Sequence, residues 1–442
     1  MKKHISLLLC CTLSLSSLTV FSACAEKNVL RIANCAEYID AGDEDLGTNS
    51  LVEDFEIWYK EQTGKTIKVE YSTYDENETL YSMIKMQDEF DLVCPSEYMM
   101  MKLADENRLL PYPKEFFDVS VKGNYYAQNV SPFIKETFES NVISETNAKK
   151  WSEYAAGYMW GTTGFVFNPE KVNPEDVQTW KIFTNTAYSH KITAKNNVRD
   201  TYFAGLGIYY ENEILALNSQ LSANQIDYTT YRSELARRMN DTNEDTMAEV
   251  KEILQNMKSN LYGFETDEGK NDMIAGKVTV NFQWSGDAVY ILDEAEESDT
   301  YLHYSIPNSV SNLWFDSWVM PICCQNQEAA MMFVNFLSKP ENAIRNMNYI
   351  GYTSCIGGEE VFAEITDWYG AEEDDETAVN YDLSYFFGDG FVLSAPQEQL
   401  TRQLFAQYPD QKTITRCVPM QYFDRDENMR ANYMWSDITS SF

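Results

Sequence analysis

A two-lobed, doubly wound α/β fold is what this sequence predicts, on three observations. Strand-like and helix-like segments alternate through the first hundred residues after the leader. The chain is 442 residues long, too long for one small domain and suited to two or three. Its 44% hydrophobic and 14% aromatic content is ample for packed cores and unlike that of a disordered chain.

NVLRIAN (28–34) reads as the opening strand. Residues 50–63, SLVEDFEIWYKEQT, place Leu51, Phe55 and Trp58 on one helical face, and Gly64 stops the helix. TIKVEYSTY (66–74) alternates and is rich in β-branched residues, so it is a strand. ENETLYSMIKMQ (76–87) is a helix, FDLVCPS (90–96) a short strand running into a turn, and EYMMMKLADENRLL (97–110) another helix. This rhythm means a parallel, doubly wound sheet. Farther on, GYMWGTTGFVFNP (157–169) and KVTVNFQWSG (277–286) read as strands, the second ending at Trp284. Residues 229–262 are polar and helical in period, with Leu235, Met239, Val250, Ile253, Leu254 and Met257 as core candidates. Residues 330–347 form an amphipathic helical pair, and AEEDDETAV (371–379) a solvated acidic loop. With no repeat and no Pro/Ser-rich linker, the chain is expected to cross between its lobes more than once.

Residues 1–23 read as a signal peptide: a positive start (MKKH), an apolar run, and small residues ending FSAC. FSAC resembles a bacterial lipobox, which would make Cys24 the lipidated N-terminus. The run is too short for a confident membrane span and is followed at once by polar AEKN. Six cysteines remain after the leader, Cys35, Cys94, Cys323, Cys324, Cys355 and Cys417; their spacing resembles no metal motif and leaves disulfides and free thiols both open.

The charge excludes some partners. Asp plus Glu number 69 against 34 Lys plus Arg, a net of −35, which argues against nucleic acid and anionic lipid headgroups and is compatible with a cationic ligand, or with solubility alone. With three histidines, two of them after the leader, and no nucleophile elbow, zinc-protease, phosphate-loop or dinucleotide motif, the sequence assigns no catalytic residue, metal or cofactor. DRDEN (424–428) lacks the glycine and the terminal Glu of a calcium loop. A two-carboxylate glycosidase stays open on residue type alone.

Several strand ends pair an acid or small polar group with an aromatic: Glu37 with Tyr38, Ser96 with Tyr98, Trp284 with Asp287, and Trp314 with Asp316. Ligands of doubly wound sheets sit beyond the carboxyl ends of the strands, so all four pairs could share one cleft. In WFDSWVMP (314–321), alternation puts Trp314, Asp316 and Trp318 on one face, a carboxylate between indoles. Such a group is costly unless a cation meets it.

NCAEYID, YSTYDENETLYSMI (71–84), FDLVCPSEY (90–98), YMWGTTGFVFN (158–168), WSGD (284–287), WFDSWVMP and IGYTS (350–354) occur in the order found in bacterial spermidine/putrescine-binding proteins. The chain resembles that family over nearly all of its length after residue 28. The resemblance implies a type II periplasmic-binding-protein fold, no enzymatic activity, a polyamine ligand, and delivery to the permease of an ABC importer by a monomer outside the cytoplasm. It also implies ligand-binding roles for Glu37, Tyr38, Ser96, Tyr98, Asp200, Trp284, Asp287, Trp314, Asp316, Tyr352 and Gln421. Asp200 stands where the family has Glu after an Arg, here Arg199; Asp287 resembles putrescine-preferring members. Each residue also has a plain structural role open to it: core for the tryptophans and tyrosines, a solvated turn for Glu37, a helix cap before Ala288 for Asp287, an ion pair for Asp200. The lobes are expected at 28–163 plus 316–360 and at 164–315 plus 361–442, with solute receptors for other cations or sugars, and sensing rather than transport, as rival readings.

Overall fold

The computed structural model describes residues 28–43, 45–87, 89–144 and 146–440. The predicted leader and Cys24 lie outside the described residues.

The opening rhythm holds. Strand β1 (Val29–Cys35) pairs in parallel with β2 (Lys68–Tyr74) on one side and β3 (Leu92–Val93) on the other. Between them run helices α1 (Leu51–Thr63) and α2 (Asn77–Gln87), and α3 (Glu97–Asp105) follows β3. The first helix shows why it forms where it does. The Ser50 hydroxyl accepts from the Glu53 amide, the Glu53 carboxylate accepts from the Ser50 amide, and Gly64 ends the helix at φ 72°. Its buried stripe is Leu51, Phe55 and Tyr59, so Tyr59 takes the place expected of Trp58, which is half-buried. EYMMMKLADENRLL is shorter as a helix than expected, because residues 109–110 leave it to form β4 (Leu109–Leu110).

Two long strands organise the rest. β5 (Ala155–Phe167) and β10 (Ser311–Pro321) run antiparallel from Leu313 opposite Thr162 to Val319 opposite Ala155. Beyond that stretch they part company. β10 pairs with β3 and β4 through residues 319–321, whereas β5 pairs through residues 163–167 with β8 (Val280–Trp284). β8 is followed outward by β6 (Ile192–Lys195) and β7 (Gly263–Glu265), both parallel, while β9 (His303–Ser305) adds to β5. The path β2-β1-β3-β10-β5-β8-β6-β7 is therefore one sheet in which β5 and β10 belong to both halves. The register slips once, between Asp316 and Ser317, leaving Tyr158 of β5 unmatched.

Alternation along β10 sorts its side chains. Phe315 points into a core of Phe133, Phe138 and Trp151, with ring centroids 5.7–6.3 Å away. On the other face Trp318 packs against Tyr158 and Phe333 and is fully buried. It is core, so Asp316 is not flanked by two cleft-lining indoles. Glu97, itself buried, accepts from the amides of Phe315 and Met420 at 3.0 and 3.2 Å and ties β10 to the segment before the last helix, Arg425–Ser440. Burial pushes its carboxyl up to about 8. The polar stretch 229–262 is two helices, Tyr228–Met239 and Glu244–Asn260, separated by the Asn240–Asn243 turn. Of its expected core only Ile253 is left half-buried.

Candidate functional site

Three of the acid–aromatic pairs follow strands, at the ends of β1, β3 and β8; the fourth, Trp314 with Asp316, expected at a strand end, lies inside β10, and the four gather around two carboxylates. Asp316 is at the shared stretch of β10. Its Oδ2 accepts from the Tyr38 hydroxyl and its Oδ1 from the Ser96 hydroxyl, both at 2.7 Å. Tyr38 follows β1, and Ser96 precedes α3, so the carboxyl ends of two parallel strands deliver the donors. Asn77, at the start of α2, fixes Ser96 by accepting from its amide and donating to its hydroxyl oxygen, each at 3.0 Å. Tyr158, the unmatched residue of β5, supports Tyr38 by donating to its carbonyl at 2.6 Å. Among the described residues no basic side chain pairs with Asp316. Burial pushes its carboxyl up to about 6, and the Ser96 and Tyr38 hydrogen bonds restrain that rise.

Aromatic rings wall this carboxylate. Tyr38 meets Tyr352 edge-on at 5.0 Å, and Tyr352 meets Trp314 at 5.7 Å. The Trp314 indole is fixed by donating to the Thr162 carbonyl at 3.2 Å. Tyr352 follows a helix closed by Gly351 in the left-handed region, and its ring lies against Gly286, where a Cβ would stand 2.2 Å from Cγ. Only glycine admits that approach. The Tyr352 hydroxyl donates to Asp287 at 3.0 Å. Asp287 lies inside the first turn of the helix Ser285–Glu296, not ahead of it, so the expected capping role at Ala288 gives way to this hydrogen bond. Lys270 stands 3.6 Å from Asp287 and 3.5 Å from Asp267. Burial alone would lower its ammonium; the carboxylates of Asp287, Asp267 and Glu37 outweigh it and hold the pKa up. Glu37 is exposed, with a left-handed backbone at φ 53°.

The second carboxylate, Asp200, is in the first turn of the helix Val198–Tyr209, whose cap Asn197 accepts from the amides of Arg199 and Asp200. The Trp284 indole donates to Asp200 at 3.4 Å. Burial pushes this carboxyl up to about 6 as well, but here Lys195 and Arg199 count among the restraining causes. Lys195, at the end of β6, is fully buried. Its ammonium lies 4.2 Å from the Trp284 ring centroid, 3.2 Å from Glu265 and 3.0 Å from the Thr266 carbonyl. The Arg199 guanidinium is held between the rings of Tyr98 and Phe423, at 4.5 and 3.6 Å, and donates to the Gln421 carbonyl.

The structure thus connects Tyr38, Ser96, Trp314, Asp316, Tyr352 and Asp287 in one contact chain and gathers Tyr98, Asp200 and Trp284 in a second. Gln421 contributes backbone: its amide donates to Asn240 and its carbonyl serves Arg199, while its side chain is exposed. Sequence reasoning missed Asn77, Lys195 and Lys270. A lysine closing the strand ITAK, two residues before a helix cap, was a readable signal; the approach of Lys270 from residue 270 to residue 287 had none. Cys35, Cys94, Cys324, Cys355 and Cys417 are free thiols, and Cys35 is pushed up to about 12 by burial and then by Asp316. A separate cavity of about 950 Å³ lies near His303, Lys412 and Arg416, but Asp410, its one lining carboxylate, caps the helix Gln411–Thr415.

A family model described as bacterial extracellular solute-binding protein matches residues 50–368. The spermidine/putrescine-binding periplasmic protein of Salmonella typhimurium is 24% identical over 331 residues, 74% of this chain and 78% of that one. The putrescine-binding periplasmic protein SpuD of Pseudomonas aeruginosa is 26% identical over 349 residues, 77% of this chain and 82% of its own. The solved spermidine/putrescine ABC transporter substrate-binding protein PotD of Streptococcus pneumoniae superposes with a TM-score of 0.60 at 24% identity, covering 93% of this chain and 98% of that chain. The TpPotD lipoprotein of Treponema pallidum gives 0.60 at 16% identity, covering 93% and 99%. At such identities the structural likeness speaks to the fold, which is the type II fold of periplasmic solute-binding proteins. The family model spans well over half of the sequence, and the chain belongs to the bacterial extracellular solute-binding proteins.

Proposed function

We propose that this protein is an extracytoplasmic polyamine receptor that hands putrescine or spermidine to the permease of an ABC importer. The observation that carries this reading is Asp316: a carboxylate on the strand common to both halves of the sheet, held by two hydroxyl donors, walled by Tyr38, Tyr352 and Trp314, and given no basic partner among the described residues. An alkyl-ammonium ion supplies what is missing. It meets the half-buried carboxylate, and its methylenes lie against the rings. Cation–π contacts contribute about 0.5–2 kcal/mol each, and a charge-assisted hydrogen bond about 1.5–3 kcal/mol. Two or three acid contacts together with two or three ring contacts give a gross attraction of about 4–15 kcal/mol, a range that brackets the ~8 kcal/mol of a micromolar complex before ordering costs. The names of the relatives support the same ligand class.

In this reading the lobes are 28–163 plus 316–360 and 164–315 plus 361–442. Ligand held by Asp316 in one recruits Asp287 and its neighbours from the other, and closure follows because the closed state alone offers both sets. The receptor is a monomer tethered through a lipid on Cys24, and Cys24→Ser releases it from membranes into the soluble fraction. The test of the function is calorimetric titration with putrescine, cadaverine, spermidine and spermine. Saturable binding of at least one is expected; heats indistinguishable from dilution for all four would overturn the reading.

A further inference from the structure

The two carboxylate groups differ in how their charge is met. Around Asp200 the buried charges are met from within the protein. Asp200 and Glu265 are the buried acids and Lys195 and Arg199 the buried bases, while half-buried Glu78 adds a further acid within reach of Asp200 and Arg199. The Lys195 ammonium sits on the Trp284 ring at 4.2 Å and is held in place by Glu265 and the Thr266 carbonyl. Glu265 is anchored in turn by the Gly269 amide at 3.0 Å. The other end of the site is unbalanced. Among the described residues no base pairs with Asp316, and Lys270 faces Asp287, Asp267 and Glu37.

We propose that Lys195 is a specificity-determining residue: its ammonium fills, from within the protein, the place on Trp284 and beside Asp200 that a further ligand ammonium would take, so the site accepts a diamine and disfavours a triamine. This rests on the polyamine reading and sharpens it. A ligand ammonium entering near Trp284 would meet a fixed like charge on that ring and an Asp200 whose field Lys195 and Arg199 already offset in part. An ammonium at Asp316 meets a carboxylate with neutral donors, and one at Asp287 meets an excess of acid. The part of the box that remains attractive to cations therefore has two ends.

The experiment compares the ratio of spermidine to putrescine dissociation constants in wild type and in Lys195→Met, by calorimetry on the full extracytoplasmic chain. The expected wild-type ratio is about tenfold or more in favour of putrescine, and Lys195→Met is expected to move it about tenfold toward spermidine. A wild-type ratio near one or favouring spermidine overturns the inference while leaving the receptor assignment standing. A ratio that stays put in Lys195→Met overturns it equally. Absence of binding to either amine in wild type overturns the receptor reading, and this inference with it. Because Lys195→Met leaves Glu265 buried without its cation, Lys195→Met/Glu265→Gln is measured beside it and reads the same ratio if the single variant does not fold.

Discussion

Asp316, half-buried in the middle of β10, and Asp200, buried in the first turn of a helix, are both carboxylates pushed up to about 6 by burial, and both lie by a tryptophan-bearing strand. They differ in what answers them. Asp316 has hydroxyls, Asp200 has an indole and two bases. Neutral donors orient a carboxylate without cancelling its charge; a lysine and an arginine nearby offset part of it. In the proposed reading the first is held ready for an outside cation, and the second is a piece of structure. Residue type and the shared upward shift alone would have ranked them equal.

The sharpest way to break this contrast is Asp316→Asn, which is expected to weaken polyamine binding by about 2–5 kcal/mol, as the loss of a buried charged partner does. Unchanged calorimetric affinity would erase the distinction. Next comes Gly286→Ala, whose added methyl would overlap the Tyr352 ring. Overpacking of this kind costs about 1–3 kcal/mol, so a lower melting temperature together with weaker binding is expected; a folded variant with native binding would remove Tyr352 from the wall. The pH dependence should be comparable to the lower part of that range. Ligand needs the Asp316 carboxylate, so affinity is lost as pH falls through about 6, by about tenfold between pH 7 and 5. Stability of the free protein moves the opposite way. The folded carboxyls bind their protons more tightly than unfolded ones, so their ionisation destabilises the fold above about 6, and acidification from 7 toward 5 relieves that part of the cost. Melting curves with and without putrescine at both pH values separate the two. Smallest of all, Asp200→Asn is expected to change putrescine affinity by less than about tenfold, under ~1.4 kcal/mol; a loss matching that of Asp316→Asn would place a ligand ammonium on Asp200 after all.

Much of this was legible beforehand where the physics is local. Ser50, Glu53 and Gly64 announce the first helix through capping chemistry that acts within a few residues. The alternation in WFDSWVMP sent Phe315 to one core and Asp316 to the opposite face, as a pleat must. What stayed hidden is long-range. Nothing in the chain near Trp318 says that Phe333 will bury it, nothing near Lys195 says that Glu265 and Trp284 will receive it, and Gln421 turned out to matter through its carbonyl, which any residue has. A carboxylate can be recognised from sequence; the company it keeps across the sheet cannot.

The bulge at Tyr158 makes the middle of the molecule sensitive to length change. In the acidic loop at 371–378 a lost or gained residue alters only a surface excursion. Taking Tyr158 out would close the ladder, with Gly157 and Met159 as neighbours opposite Ser317 and Asp316, and would remove the hydroxyl that holds the Tyr38 carbonyl; a residue lost between Met159 and Thr162 would instead turn side chains over against β10. Drift in this lineage should therefore show as insertions at the rim and substitutions at the seam, with the count of residues between Ala155 and Thr162 held constant.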